Sequence, residues 1–184
     1  MAMYIRKVAK SKWNSSVKVA NDALPLVQGT DGVTNCCKTY KNTISLWMID
    51  GPDLSSENDK KIIAALGSNA GNLSFVDYVI LTDEELETRK LSLENYPGDT
   101  FIDDIRDLHY NINNLDMTAI STLGLLIKRK VAGVLDSSGE TMEKPTVSRI
   151  AENLVKSYIY KYIPKGSEAA AKLSLKPGFK DFYA

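Results

Sequence analysis

Alternation of apolar and polar residues near the start of the chain predicts a β-strand over residues 3 to 9. A two-residue period over residues 43 to 50 predicts a second strand. Residues 74 to 81 are apolar almost throughout, which is typical of a strand covered on both faces. The chain between the second and third strands is long enough for a helical crossover, so we expect these two strands to be parallel.

Apolar residues three and four positions apart predict three helices, over residues 101 to 113, 116 to 134 and 146 to 162. Capping boxes predict two earlier helices, because Ser56 lies three residues before Asp59 and Thr82 lies three residues before Glu85. The predicted fold class is α/β. It consists of a small, at least partly parallel sheet covered by a helical layer, with a helix-rich C-terminal half.

The order of these elements predicts a single α/β domain over residues 1 to 162 and a basic, aromatic tail over residues 163 to 184. A chain of 184 residues is long enough to bury a hydrophobic core without disulfides. The tail combines lysines with Phe179, Phe182 and Tyr183, so we expect it to dock on its own domain or on another chain.

Charge is balanced over the whole chain, with 23 basic and 23 acidic residues, but it is unevenly distributed. The net charge is +5 over residues 1 to 45, −10 over residues 46 to 118 and +5 over residues 119 to 184. The balanced total predicts neither a nucleic-acid binder nor an enzyme for acidic substrates. The basic ends either fold onto the acidic middle or leave one charged face for a partner.

The two cysteines, Cys36 and Cys37, are adjacent, and a disulfide between neighbouring residues is strained. With a single histidine, the chain cannot assemble a closed zinc site from cysteine and histidine alone. We therefore expect reduced thiols and a cytoplasmic protein. The sequence shows neither a secretory signal nor an apolar run of membrane-spanning length, so no membrane partner is expected.

The single histidine, His109, is a weak catalytic candidate. In the predicted helix it lies at the edge of the apolar stripe that contains Ile105 and Ile112. No carboxylate lies three or four residues away to orient its ring. We therefore favour a structural role at the boundary of the core over a catalytic one.

Three aspartates form a second weak candidate site. Asp50 and Asp53 follow one of the two paired strands, and Asp83 follows the other. Carboxylates that converge there could bind Mg²⁺ for a nuclease or phosphatase reaction, and only in that case is a cofactor expected. Turn formation at Asp50 and a favourable helix N-terminal charge at Asp83 are the simpler explanations.

Basic residues near the start form a weak candidate for partner binding: Arg6, Lys7, Lys10 and Lys12, together with Trp13. Alternation along an extended segment places Arg6 and Lys10 on the same side, where phosphate or an acidic protein could bind.

The short motifs "YIRKV", "KW", "ISLWMID", "PGDT" and "DLH" resemble those of a family of short uncharacterised bacterial proteins. The resemblance covers roughly residues 4 to 135 and implies a bacterial, cytoplasmic origin, with no activity attached.

The leading functional hypothesis is a non-enzymatic protein-interaction module, a component of a multi-protein bacterial system of defence or toxin–antitoxin type. The alternatives are a nucleic-acid binder that uses the basic N-terminal strand and a magnesium-dependent nuclease or phosphatase. We do not favour an enzymatic function, because every catalytic candidate has a simpler structural explanation. A protein partner is expected, and nucleic acid is the second choice.

Overall fold

The computed structural model of the chain describes residues 1–13, 19–20, 37, 39 and 42–183. The described strands are β1 (Met3–Lys7), β2 (Val19–Ala20), β3 (Ile44–Ile49), β4 (Val76–Thr82), β5 (Leu93–Asn95), β6 (His109–Ile112), β7 (Val134–Leu135), β8 (Thr141–Glu143) and β9 (Ser148–Ile150). The described α-helices are α1 (Glu57–Ser68), α2 (Asp83–Glu87), α3 (Met117–Ala132), α4 (Glu152–Tyr162) and α5 (Glu168–Ser174). Short 3-10 turns cover Lys10–Lys12 and Asp103–Leu108.

The main sheet has six strands in the order β5-β6-β3-β1-β4-β9, and each neighbouring pair is antiparallel. The class is α/β, but the expectation of a partly parallel main sheet is wrong. The N-terminal strand lies between β3 and β4, since Met3 pairs with Ile49 on one side and with Thr82 on the other. Strands β3 and β4 therefore run in the same direction but are separated by β1. This is a split β–α–β arrangement, with α1 in the connection between β3 and β4.

The second sheet is smaller and has the order β2-β7-β8. Its β2–β7 pair is parallel, and its β7–β8 pair is antiparallel. Within the part of the chain that the structure describes, parallel pairing of named strands is confined to this small sheet.

The predicted helix over residues 101 to 113 is also wrong. The segment forms the 3-10 turn Asp103–Leu108 and then strand β6, which pairs with β3 and β5. A short apolar run fits either period, and here two neighbouring strands supply backbone hydrogen bonds on both sides. The helix predicted over residues 146 to 162 starts only at Glu152, because Ser148–Ile150 pair with β4.

Several local predictions are confirmed. Both capping boxes are present, at the start of α1 and at the start of α2. The helix predicted over residues 116 to 134 is α3, and its N-cap Asp116 accepts a hydrogen bond from Ala119 N at 2.7 Å.

Helices cover both faces of the main sheet. On one face, Ile62 of α1 and Val155 of α4 pack against Ile5 and Trp47 of the sheet. On the other face, Leu123 and Ile127 of α3 pack with Leu46 and Val79. The two continuous cores explain why β3 and β4 are apolar on both sides.

The segment after α5 packs into the first of these cores. Phe179 is fully buried, and Tyr183 Oη donates a hydrogen bond to Ile163 O at 2.8 Å. Burial raises the pKa of Tyr183 to about 12, so its hydroxyl remains protonated and able to donate. Among the helices described, none combines the length and the apolar character that a membrane crossing requires.

Candidate functional site

A groove of about 570 Å³ lies beside β9, the last strand of the main sheet. The residues that line it include Leu54, Tyr78, Ile150, Leu154 and Tyr158, which are apolar or aromatic, and Asp53, Lys60 and Arg149, which are charged. We call this the β9 groove. In the described residues β9 pairs only with β4, so its outer edge is an open strand edge.

Arg149 is held rigidly at this edge. It lies directly opposite Asp77 in the β4–β9 register, and the two side chains form a bidentate ion pair. Arg149 Nε donates to Asp77 Oδ1 at 2.7 Å, and Nη2 donates to Oδ2 at 3.0 Å. The guanidinium carbon also lies 3.7 Å from the centre of the Phe75 ring. This geometry immobilises the guanidinium before any partner arrives.

Arg149 nevertheless remains accessible. Its side chain is 53% exposed, whereas that of Asp77 is only 6% exposed. An arginine carries five N–H donors, and the pair with Asp77 uses two of them. The remaining donors are available to a ligand that reaches the β9 edge.

Exposed apolar side chains adjoin this arginine. Phe75, which contacts the guanidinium, is 43% exposed, and Leu154, which lines the groove, is 41% exposed. A fixed arginine beside aromatic and aliphatic side chains has the composition of a protein-interaction hot spot.

His109 has a structural environment in β6. It lies opposite Trp47 in the β3–β6 register, and the two rings meet edge to face with centroids 4.9 Å apart. Its Nδ1 donates to Tyr96 O at 2.7 Å, because a carbonyl oxygen can only accept. A Cβ at Gly98 would lie 2.6 Å from Trp47 Cη2 and 2.9 Å from His109 Cβ, so the chain crosses closely over both rings.

The electrostatics of His109 follow from this packing. Burial lowers the pKa of His109, and the charge of Arg6 lowers it further, while the hydrogen bond to Tyr96 acts in the opposite direction. The ring is therefore neutral at pH 7, with its proton on Nδ1. These contacts account for His109 as a packed residue of the core.

Two of the candidate carboxylates, Asp50 and Asp83, follow the strands that pair with the start of β1 on either side. Asp83 accepts hydrogen bonds from Ala2 N and Glu84 N, both at 3.0 Å, and the bond from Ala2 is the main reason that its pKa is lowered. Asp50 accepts from Asn58 Nδ2 at 3.3 Å, and Asp53 is exposed in the β9 groove. The described part of the chain contains no group of three or more His, Cys, Asp or Glu residues placed to hold a metal ion.

The basic N-terminal residues are divided between different environments. Arg6 and Lys7 line one cleft, whereas Lys10 and Lys12 lie in the 3-10 turn that follows β1. Because β1 ends at Lys7, alternation does not place Arg6 and Lys10 on the same side. Trp13 is 3% exposed and belongs to a core, so it does not contribute to the surface.

Of the two adjacent cysteines, Cys37 is buried, and Cys36 lies outside the described residues.

The interpretation of the sequence missed Arg149, Phe75 and Leu154, because the contact between Asp77 and Arg149 spans 72 residues. One signal was present in the sequence. Asp77 interrupts the apolar run "SFVDYVIL", and a buried carboxylate requires a cationic or hydrogen-bonding partner. That partner could not be named from the sequence.

No family model, curated protein or solved structure matches this chain significantly. The resemblance to short bacterial proteins therefore stays a prediction, and function must be argued from geometry.

Proposed function

We propose that this protein is a non-enzymatic protein-interaction module that binds an extended segment of a partner protein along the β9 groove. The observation that carries the proposal is Arg149, fixed by Asp77 and Phe75 yet half exposed, at an open strand edge beside Leu154.

Binding would extend the main sheet. An open edge presents unpaired backbone N–H and C=O groups, and an extended peptide that pairs with β9 would add a seventh strand. Side chains alternate along such a peptide. One set would therefore enter the groove, against Leu154 and Tyr158.

The charges of the groove favour an apolar partner segment over nucleic acid. The groove lining contains the cations Lys60 and Arg149 and the carboxylate Asp53, and Asp77 pairs with Arg149, so these four charges sum to zero. A phosphate backbone is held by an excess of positive charge, which this set lacks. The free donors of Arg149 instead suit a carbonyl or carboxylate oxygen within an otherwise apolar segment.

Peptide selection from a displayed library, followed by affinity measurement, tests the proposal. We expect selected peptides to bind Leu154→Glu at least about tenfold more weakly than the unchanged protein, since tenfold corresponds to about 1.4 kcal/mol and hot-spot losses exceed it. The matched control is Leu175→Glu, because Leu175 is 84% exposed and does not line the groove. Equal binding by Leu154→Glu and Leu175→Glu would overturn the proposal.

Two further results complete the design. Arg149→Lys keeps the charge but loses the bidentate geometry, so it should weaken the same peptides. Sedimentation of the unchanged protein and of Leu154→Glu tests for a second copy in the groove. A dimer that Leu154→Glu dissociates would show that the groove pairs two copies of this chain, which contradicts a heterologous partner.

A further inference from the structure

A second cavity, of about 370 Å³, lies where the end of β1 meets the C-terminal end of α1. The residues that line it include Arg6 and Lys7 of β1, Ser45 and Trp47 of β3, and Leu66 and Asn69 at the end of α1. We call this the basic cleft. It is a separate cavity from the β9 groove, and the inference below does not rest on the function proposed for that groove.

Lys7 is the central residue of the basic cleft. Its side chain is half-buried, and its Nζ contacts Leu66 O at 3.5 Å, the outer limit of a hydrogen bond. An ammonium has three donors, so this contact leaves most of its capacity unused. Among the described residues that line the cleft there is no carboxylate. Burial lowers the pKa of Lys7.

Arg6 brings a second positive charge to the same cleft. Its Nη1 donates to Ser45 O at 2.7 Å, which fixes the position of the guanidinium. The charge of Arg6 extends into the protein far enough to lower the pKa of His109. Lys7 and Arg6 therefore give this cleft two cationic side chains, and cations of this kind attract an anion.

We propose that the basic cleft binds the phosphate group of a small phosphorylated ligand. Lys7 and Arg6 supply charged donors. The side-chain amide of Asn69, which also donates to Asp99 O at 3.4 Å, supplies a neutral one at the end of α1. Trp47 forms part of the apolar wall against which the organic part of the ligand lies. A cavity of this size suits a small molecule, whereas a nucleic-acid backbone requires a row of exposed cations across a surface.

Calorimetric titration with inorganic phosphate and with adenosine monophosphate tests the proposal. We expect both to bind the unchanged protein and to bind Lys7→Met at least about tenfold more weakly, a loss of about 1.4 kcal/mol. Tighter binding of the nucleotide would identify a phosphate ester as the ligand, and equal binding would identify free phosphate. Lys165→Met is the matched control, because Lys165 is exposed and lies outside the cleft.

Thermal unfolding provides a second measurement. Ligand binding raises Tm with ligand concentration, and the rise should be lost in Lys7→Met and kept in Lys165→Met. An equal rise in all three proteins would reflect the general exclusion of phosphate from protein surfaces and would overturn the proposal. Arg6→Gln tests the same cleft independently, in case Lys7→Met folds poorly.

The single histidine supplies a readout from within the fold. Bound phosphate would offset the charge of Arg6, which lowers the pKa of His109. Adding phosphate should therefore raise the pKa of His109, measured by NMR, in the unchanged protein but not in Arg6→Gln. A single-stranded oligonucleotide is the competing ligand. If it binds tightly, displaces phosphate and loses affinity steeply as the salt concentration rises, the cleft binds nucleic acid and the small-ligand proposal is overturned.

Discussion

The two ends of α1 are stabilised in different ways. At the N-terminal end, the residues that satisfy the free backbone groups belong to the helix and its N-cap, because Ser56 Oγ accepts from Asp59 N and Asp59 Oδ2 accepts from Ser56 N. At the C-terminal end, Asn69 N and Ala70 N donate locally to Ala65 O and Gly67 O, but two further carbonyls are approached by side chains from distant parts of the chain. Lys176 Nζ donates to Ser68 O at 2.7 Å, and Lys7 Nζ approaches Leu66 O at 3.5 Å.

The N-terminal end of α1 therefore has a structural role, whereas its C-terminal end is suited to binding a ligand. Asp59 is 1% exposed, and its hydrogen-bonding capacity is used within the fold. Lys7 is half-buried, and its contact with Leu66 O is long. Positive charge favours the C-terminus of a helix, but two lysines exceed what one helix end requires. The basic cleft therefore forms at the end of α1 where lysines from distant parts of the chain approach two of the last carbonyls.

The largest effect is expected at the N-terminal end, in Asp59→Ala. Asp59 Oδ1 also accepts from Asp50 N at 2.9 Å, so the substitution removes a capping box and leaves the backbone N–H groups of Asp50 and Ser56 without their acceptor. We expect the free energy of unfolding to fall by about 2 to 3 kcal/mol in urea denaturation.

The control for this change is Asp53→Ala. Asp53 is exposed in the loop before α1, so its replacement should change the stability by no more than about 0.5 kcal/mol. Equal losses in the two variants would contradict a structural role that is specific to Asp59.

The second effect concerns the packing of α1 near its C-terminal end. A Cβ at Gly67 would overlap Val155 Cγ1 of α4, whereas a Cβ at Gly71 would meet no atom within 4 Å. Overpacking should outweigh the gain in helix propensity, so Gly67→Ala should lose about 1 to 2 kcal/mol. Gly71→Ala should leave thermal and urea midpoints unchanged. A stable Gly67→Ala would show that α1 and α4 separate at little cost.

Features within a few residues of one another could be predicted from the sequence. The capping boxes at Ser56 and Thr82 are confirmed, as is α3, because three- and four-residue spacing fixes each of them. The N-terminal strand was predicted too, but not its place between β3 and β4. Strand order depends on pairings between residues far apart, which spacing does not encode.

The candidate sites depend even more on distant contacts. The β9 groove requires that Arg149 meet Asp77, and the basic cleft requires that β1 reach the end of α1, which joins Lys7 to Leu66 across 59 residues. The basic run near the start of the chain includes Lys7, but its predicted role depends on alternation along an extended strand, and β1 ends before Lys10. Residue type alone therefore indicates Lys7, whereas the cleft around Lys7 can be identified only from the fold.

The smallest effects are expected from the two lysines at the C-terminal end of α1. The short contact of Lys176 with Ser68 O should be worth about 0.5 to 1 kcal/mol, so Lys176→Met should lower the stability by that amount at low salt. The longer contact of Lys7 predicts a loss below about 0.5 kcal/mol for Lys7→Met. Urea denaturation of both variants, without phosphate, measures the difference. If Lys7→Met cost as much as Lys176→Met, Lys7 would be a structural cap of α1. The long contact would then no longer be a reason to expect an anion in the basic cleft.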